Sequence, residues 1–346
     1  LNPRVIISHP QLFKKADYYA TLVENYNWAK VVDILVNDQK EAYVCGSTYD
    51  AANNNVAFLA KLSATGVKEW EKTLETTIPA SGTFTEFQRI IKDGSDIYVA
   101  GINKPNATVL DAYNPDIIVA KYAEANNGLS ATLTWQKGYA GISGSTRSDN
   151  ITAFKQLNDS RFVLGGFTNT NSGAPWDAFL AIIDTAGFFV AKRKLASDNQ
   201  SEKITDIAIH EGNIYFTMET SSSQSSNDVN VSFGKAIPAT ASISIDWIRE
   251  VQNTTYSFLN SSLCVDEFGE FYVPCTLRLK SDDTTRDSVW VGKFNSAGTS
   301  IWNKQYQVGS QVELVNRCSV DIFGDLTIAY TKVNNSDTKR TINSLK

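Results

Sequence analysis

Apolar and polar residues alternate along most of the chain with a period of two, in short runs separated by turn-forming residues. That period puts every second side chain on one face of an extended segment, so each run predicts a half-buried β-strand. The runs recur in a fixed order. An alternating run leads to a polar turn, and a second run rich in Tyr, Val and Phe follows. A third carries Lys near its end, and a fourth often carries Trp followed by Lys. The first copy spans Val31 to Leu74 as VVDILVND, EAYVCGSTY, VAFLAKLSATG and VKEWEKTL. Four more follow, opening with EFQRIIKDGS, ITAFKQLNDS, ITDIAIHEGN and LNSSLCVDEFGE. A sixth starts as LVNRCSVDIFGD and LTIAYTK and then runs out.

The second-strand positions Tyr43, Tyr98, Phe162, Tyr215, Tyr272 and Thr327 are spaced by 55, 64, 53, 57 and 55 residues. The longer interval is absorbed by loops around Asn103–Pro115 and Asn126–Ala131. Four strands per repeat at about this period is the signature of a β-propeller. Asx residues and Gly in the turns, and Gly66, Gly187 and Gly298 between third and fourth strands, supply the backbone angles that tight hairpins need. The expected fold is therefore all-β, a propeller of four-stranded antiparallel blades. DYYATLVENYNWAK, Asp17 to Lys30, aligns with third and fourth strands, and the sixth repeat supplies the first two. Joining them predicts six blades with the closing blade shared by the two termini. The division is a 1–16 N-terminal extension and a 17–346 propeller domain. The alternatives are an N-terminal amphipathic helix, since Leu12, Ala16, Tyr19 and Val23 also fit helical spacing, and a seventh blade.

The net charge of −5 excludes a strongly basic nucleic-acid binder. No run approaches 18 uncharged apolar residues, so no membrane span is expected. No basic segment followed by an apolar run marks a signal peptide. The first residue is Leu, so the sequence reads as a processed product or part of something longer. Cys45, Cys264, Cys275 and Cys318 form no CxxC pair and read as small buried hydrophobes. Neither a metal site nor a cofactor is expected. The metalloprotease helix motif, the nucleophile elbow, the phosphate-binding loop and the calcium loop are all missing. Carboxylate pairs could serve glycoside cleavage, but 37 acidic residues offer no single pair.

Three segments carry a family resemblance: Trp176-Asp177-Ala178-Phe179-Leu180-Ala181; Ala57-Phe58-Leu59-Ala60-Lys61-Leu62 with Gly66 and Trp70; and Val289-Trp290-Val291-Gly292-Lys293-Phe294 with Gly298 and Trp302. They resemble the bacterial seven-bladed β-propeller repeats, which occur in secreted bacterial proteins and in virion structural proteins of marine bacteriophages. The resemblance implies a non-enzymatic virion protein of a tail, fibre, neck or capsid decoration. Its partners would be protein subunits of a larger assembly or a host surface glycan. A secreted bacterial adhesin at the cell surface is the alternative, and a carbohydrate-active propeller enzyme is the second.

Trp28, Trp70, Trp135, Trp247 and Trp302 recur at one repeat position, which argues for packing between blades. The loops between second and third strands vary while the strands repeat, and function concentrates on such loops. The candidate binding residues on that face are Tyr49, Tyr113 and Trp176.

Overall fold

The computed structural model describes residues 29–49, 55–74, 84–104, 117–139, 149–169, 175–195, 200–222, 228–281, 288–307, 312–333 and 340–345. The chain divides into two compact units, one holding Pro10–Phe154 and Thr168–Asn171, the other Lys155–Phe167 and Ser172–Lys346.

The first unit is built from two antiparallel groups of four strands, joined by a single parallel pair, Asn55 with Phe84. One runs β1 (Ala29–Val36), β2 (Ala42–Tyr49), β3 (Asn55–Leu62) and β4 (Lys68–Thr73). The other runs β5 (Phe84–Asp93), β6 (Asp96–Lys104), β7 (Ile117–Ala125) and β8 (Ser130–Tyr139). A third sheet comprises β9 (Asp149–Asn158), β10 (Arg161–Asn169), β11 (Trp176–Asp184) and β12 (Phe189–Leu195).

In the second unit follow β13 (Ser201–His210), β14 (Asn213–Ser221), β15 (Val229–Pro238) and β16 (Ile243–Val251). In the fifth sheet β17 (Tyr256–Leu259) and β18 (Cys264–Val265) both pair with β19 (Phe271–Leu279), which continues to β20 (Ser288–Phe294) and β21 (Ser300–Gln307). The last is β22 (Val312–Val320), β23 (Leu326–Val333) and β24 (Arg340–Leu345). These successive antiparallel groups, six among the described residues, with four strands in most, five in the fifth and three in the last, are those of a β-propeller.

Burial follows strand order. β2 and β19 are buried almost continuously, whereas the fourth strands β16 and β21 are mostly exposed. Middle strands have sheets packed on both faces and so read as apolar runs; outer strands keep the alternation. Turns use one repeated device. Asp184, Asp266, Asn295 and Asp321 each accept two backbone N–H bonds through Oδ1, from residues two and four positions on. Three residues on, Gly187, Gly269, Gly298 and Gly324 take φ of 77°, 76°, 79° and 79°, where a Cβ is disfavoured.

One cross-strand row recurs in four sheets. Tyr43, Lys61 and Trp70 are register partners on β2, β3 and β4. So are Tyr98, Lys121 and Trp135, then Tyr215, Lys235 and Trp247, then Tyr272, Lys293 and Trp302. The Tyr and Trp ring centroids are 6.2, 6.3, 6.4 and 6.1 Å apart across the intervening Lys. Each pairing slips by one residue just after the Lys, a bulge that re-aims the outer strand. The third sheet has apolar residues instead, Ile182 facing Ala191 at the same slip.

The row also grips the next sheet. Lys61 Nζ and Trp70 Nε1 both donate to the Gly128 carbonyl of the β7–β8 turn, at 3.1 and 2.9 Å. In the second unit Trp247 lies under Gly298 of the β20–β21 turn, where an added Cβ would stand 2.9 Å from its ring. The recurring Trp thus packs both across its own sheet and against the neighbouring one.

Two boundaries differ from expectation. Ala29 and Lys30, expected at the end of a fourth strand, belong to β1 and pair with Thr48 and Ser47. Lys30 is held there by Glu86 at 2.9 Å. The sixth sheet draws its third strand from β24, paired with β23, rather than from the N-terminal segment. RTINSL alternates but lacks the aromatic residues of the other third strands and the Lys that most of them carry. The extension 1–16 and the segment 17–28 lie outside the described residues.

Candidate functional site

The second unit contains a cleft of about 470 Å³ between the edge strand β12 and the sheet β13–β16. β12 contributes Arg193, Lys194 and Leu195, and Gln200 leads into β13. The facing wall is built by strand register. Glu202 on β13 lies opposite Thr220 on β14, and Met218 on β14 opposite Ser232, itself opposite Glu250 on β16. Alternation then brings Met218 and Thr220 to one face, with Ile248 and Glu250 on the outer strand. All of them line the cleft, with Arg249 at its edge.

The polar groups are organised. Glu202 is 4 % exposed. Glu250 accepts from Asn230 Nδ2 at 2.9 Å and from Gln252 Nε2 at 2.8 Å, so two amides orient its carboxylate. Thr220 and Ser232 hydroxyls are 3.0 Å apart and buried. Lys194 pairs with Asp177 at 2.5 Å. The Arg249 guanidinium lies 5.7 Å from the Trp247 ring centroid and donates to the Ile248 carbonyl at 3.1 Å. Two carboxylates, three cations, two hydroxyls and an apolar floor of Leu195, Met218, Ile245 and Ile248 thus share one concavity. Small-molecule sites combine apolar lining with a few convergent polar groups in this way.

Trp176 begins β11 and is not among the residues lining this cleft. Its N–H donates to Ser201 Oγ at 3.2 Å, its ring lies 4.9 Å from that of Phe167, and its neighbour Asp177 carries the Lys194 pair. Tyr49 ends β2 in the other unit, half-buried and paired with Asn55. Tyr113 lies outside the described residues, as do the loop residues 50–54, 105–116, 170–174, 223–227 and 282–287. The Arg, Lys and Glu residues of the cleft were not among the sequence candidates. The signal available was Lys192-Arg193-Lys194, a basic run on the one fourth strand that lacks Trp. Among the described residues no cluster of three His, Cys, Asp or Glu is placed to hold a metal ion, and no helix is long and apolar enough to cross a membrane.

The fold places the chain among β-propellers, and solved structures align with it over most of its length. A protein of unknown function from Dyadobacter fermentans matches at TM-score 0.54 and 9 % identity, covering 92 % of this chain and 94 % of that one. The NanB sialidase from Streptococcus pneumoniae matches at TM-score 0.53 and 10 % identity, covering 100 % of this chain and 71 % of that one. An α-L-arabinofuranosidase from Fusarium graminearum matches at TM-score 0.50 and 9 % identity, covering 99 % and 96 %. No family model and no curated protein matches the sequence. At these identities the likeness establishes the fold. Of these three matched structures, the two that carry a stated activity are a sialidase and an arabinofuranosidase, and no comparison supports a phage structural role, which overturns the expectation of a non-enzymatic phage structural protein. The virion, tail and host-attachment readings fall with it.

Proposed function

We propose that this chain is a carbohydrate-active propeller enzyme that cleaves glycosidic bonds in the cleft between β12 and β16. The observation that carries the reading is that Glu202 and Glu250, on the first and fourth strands of one sheet, both line a single concavity with hydroxyls and cations. Glycoside cleavage uses two carboxyl groups flanking the scissile bond, one protonating the leaving oxygen and the other acting as nucleophile or base. Glu250 is oriented by two amides, Glu202 is enclosed, and Met218, Thr220 and Ser232 lie between the strands that bear them. A sialidase and an arabinofuranosidase share this fold along nearly all of this chain, so the fold is one on which glycoside cleavage is carried out. Arg193, Lys194 and Arg249 favour acidic over neutral sugars, because guanidinium and ammonium groups bind carboxylates by charge-assisted hydrogen bonds.

The test is product release from a panel of acidic and neutral oligosaccharides. Wild-type protein is expected to cleave an acidic member, and Glu202→Gln and Glu250→Gln to lose about 10²–10⁴-fold in rate, the usual contribution of a positioned acid or base. No product from any member, or full activity in both variants, would overturn the proposal.

A further inference from the structure

The fifth and sixth sheets meet at a pair of cysteines. Cys264 lies on β18 and Cys318 on β22, and these two strands pack on each other. Their relation follows from the backbone. Ser262 N–H bonds to the Pro274 carbonyl at 3.1 Å and Cys264 pairs with Tyr272, so Ser262 to Cys264 runs as an extended strand edge. Residues two apart on such a segment point the same way. Ser262 Oγ accepts the Cys318 N–H at 3.2 Å, which fixes that direction as the one facing β22 at Cys318. The Cys264 side chain therefore faces Cys318, and the two thiols are neighbours close enough to influence one another.

We propose that Cys264 and Cys318 are a disulfide-forming pair that ties the fifth sheet to the sixth under oxidising conditions. Two facing thiols on adjacent packed strands have only to reach the S–S length of about 2 Å for a disulfide to form. The oxidant is a low-molecular-weight disulfide such as oxidised glutathione. The Cys318 thiolate attacks it, forms a mixed disulfide and expels one glutathione thiolate. The Cys264 thiolate then attacks the Cys318 sulfur and expels the second. Two protein thiols are oxidised, one glutathione disulfide is reduced to two thiols, and the two protein protons pass to the expelled thiolates.

Cys318 is the entry point because its residue is the less enclosed of the two, Cys264 being buried, although the Cys318 sulfur itself is largely shielded. Burial first, and then the neighbouring Cys264 thiol, push the Cys318 thiol above its ordinary range. Thiolate is the attacking species, so closure is slow near neutrality and accelerates as pH rises. Cys45 and Cys275 sit in separate apolar clusters and do not compete.

The full chain is incubated with oxidised glutathione at about pH 8.5, where a usable fraction of cysteine is thiolate, and then mapped under non-reducing conditions. The expected product is one cross-linked peptide pair joining Cys264 to Cys318, with titratable thiols falling from four to two. The melting temperature should rise by several degrees, because a loop of about 55 residues is closed in the unfolded chain. Cys264→Ser should stop at a stable glutathione adduct on Cys318. Four thiols surviving oxidation, a cross-link through Cys45 or Cys275, or a wild-type adduct on Cys318 that never closes would each overturn the proposal.

Discussion

Replacing Gly298 with Ala probes the packing of one sheet on the next. Gly298 closes the β20–β21 turn at φ 79°, with its N–H donating to the Asn295 carbonyl at 2.8 Å. A residue bearing a Cβ pays about 1–2 kcal/mol in this left-handed region. The Cβ would also stand 2.9, 3.0 and 3.1 Å from Cζ3, Cη2 and Cε3 of Trp247. That indole has little room to retreat. It stacks on Phe271 at 6.0 Å and meets Tyr215 and Phe233 edge-on at 6.4 and 6.1 Å. Forcing extra volume into such packing costs about 1–3 kcal/mol, giving about 2–5 kcal/mol in all. Gly212 is the internal control: it sits at φ 73° in the same unit with nothing within 4 Å of its would-be Cβ. Gly212→Ala should therefore carry the backbone cost alone, about 1–2 kcal/mol. Urea unfolding of both variants, followed by circular dichroism, measures the difference. Trp247→Leu in the Gly298→Ala background should narrow it. Equal losses for the two glycines would refute the reasoning, since the Trp247 contact is all that separates them.

Further outcomes follow from the same contacts. Lys61 is 2 % exposed and pairs with Glu41 and Glu69 at 2.9 Å each, so Lys61→Met should cost about 3–5 kcal/mol in denaturant unfolding by stranding two carboxylates. The Glu41 carboxyl is held below its ordinary 4.5 by the Lys61 hydrogen bond first and by Asn37 second. Its contribution is therefore present above about pH 4.5 and lost as pH falls through the lower folded value, and Lys61→Met should flatten that part of the acid unfolding curve. Asp206 is 3 % exposed and accepts from Ser262 Oγ at 2.8 Å, Leu263 N at 3.1 Å, Ile207 N at 2.9 Å and Arg317 at 3.2 Å. Asp206→Ala should destabilise by about 3 kcal/mol or more, because it orphans buried donors. Asp246→Ala removes only a surface pair with Lys235, and thermal melts should show a loss below about 1 kcal/mol.

The blades were legible in the sequence because each strand type carries its own burial pattern, and the recurring Tyr, Lys and Trp marked their order. What those residues do together was not legible. The register slip after each Lys decides that Lys61 faces Trp70, and hydrophobicity alone does not encode a slip. The residues behind the family resemblance, such as Trp70, Gly298 and Trp302, are packing residues. They speak to how sheets stack and say nothing of chemistry, which is why the functional expectation drawn from them failed. The cleft escaped for another reason. Arg193, Glu202, Ser232 and Glu250 come from four strands spread over nearly sixty residues, and only the sheet register gathers them. Trp176 stood out as a lone aromatic after a polar loop and begins β11, and Tyr49 ends a strand in the other unit; neither is among the residues lining the cleft.

The most direct test is a crystal structure of the Glu202→Gln variant soaked with an acidic oligosaccharide that the wild-type protein cleaves. The account predicts sugar density in the cleft, with a glycosidic oxygen within hydrogen-bond reach of Glu250 or of the residue at 202 and an acidic group on Arg193 or Arg249. An occupied site elsewhere on the molecule, with this cleft empty, would contradict it.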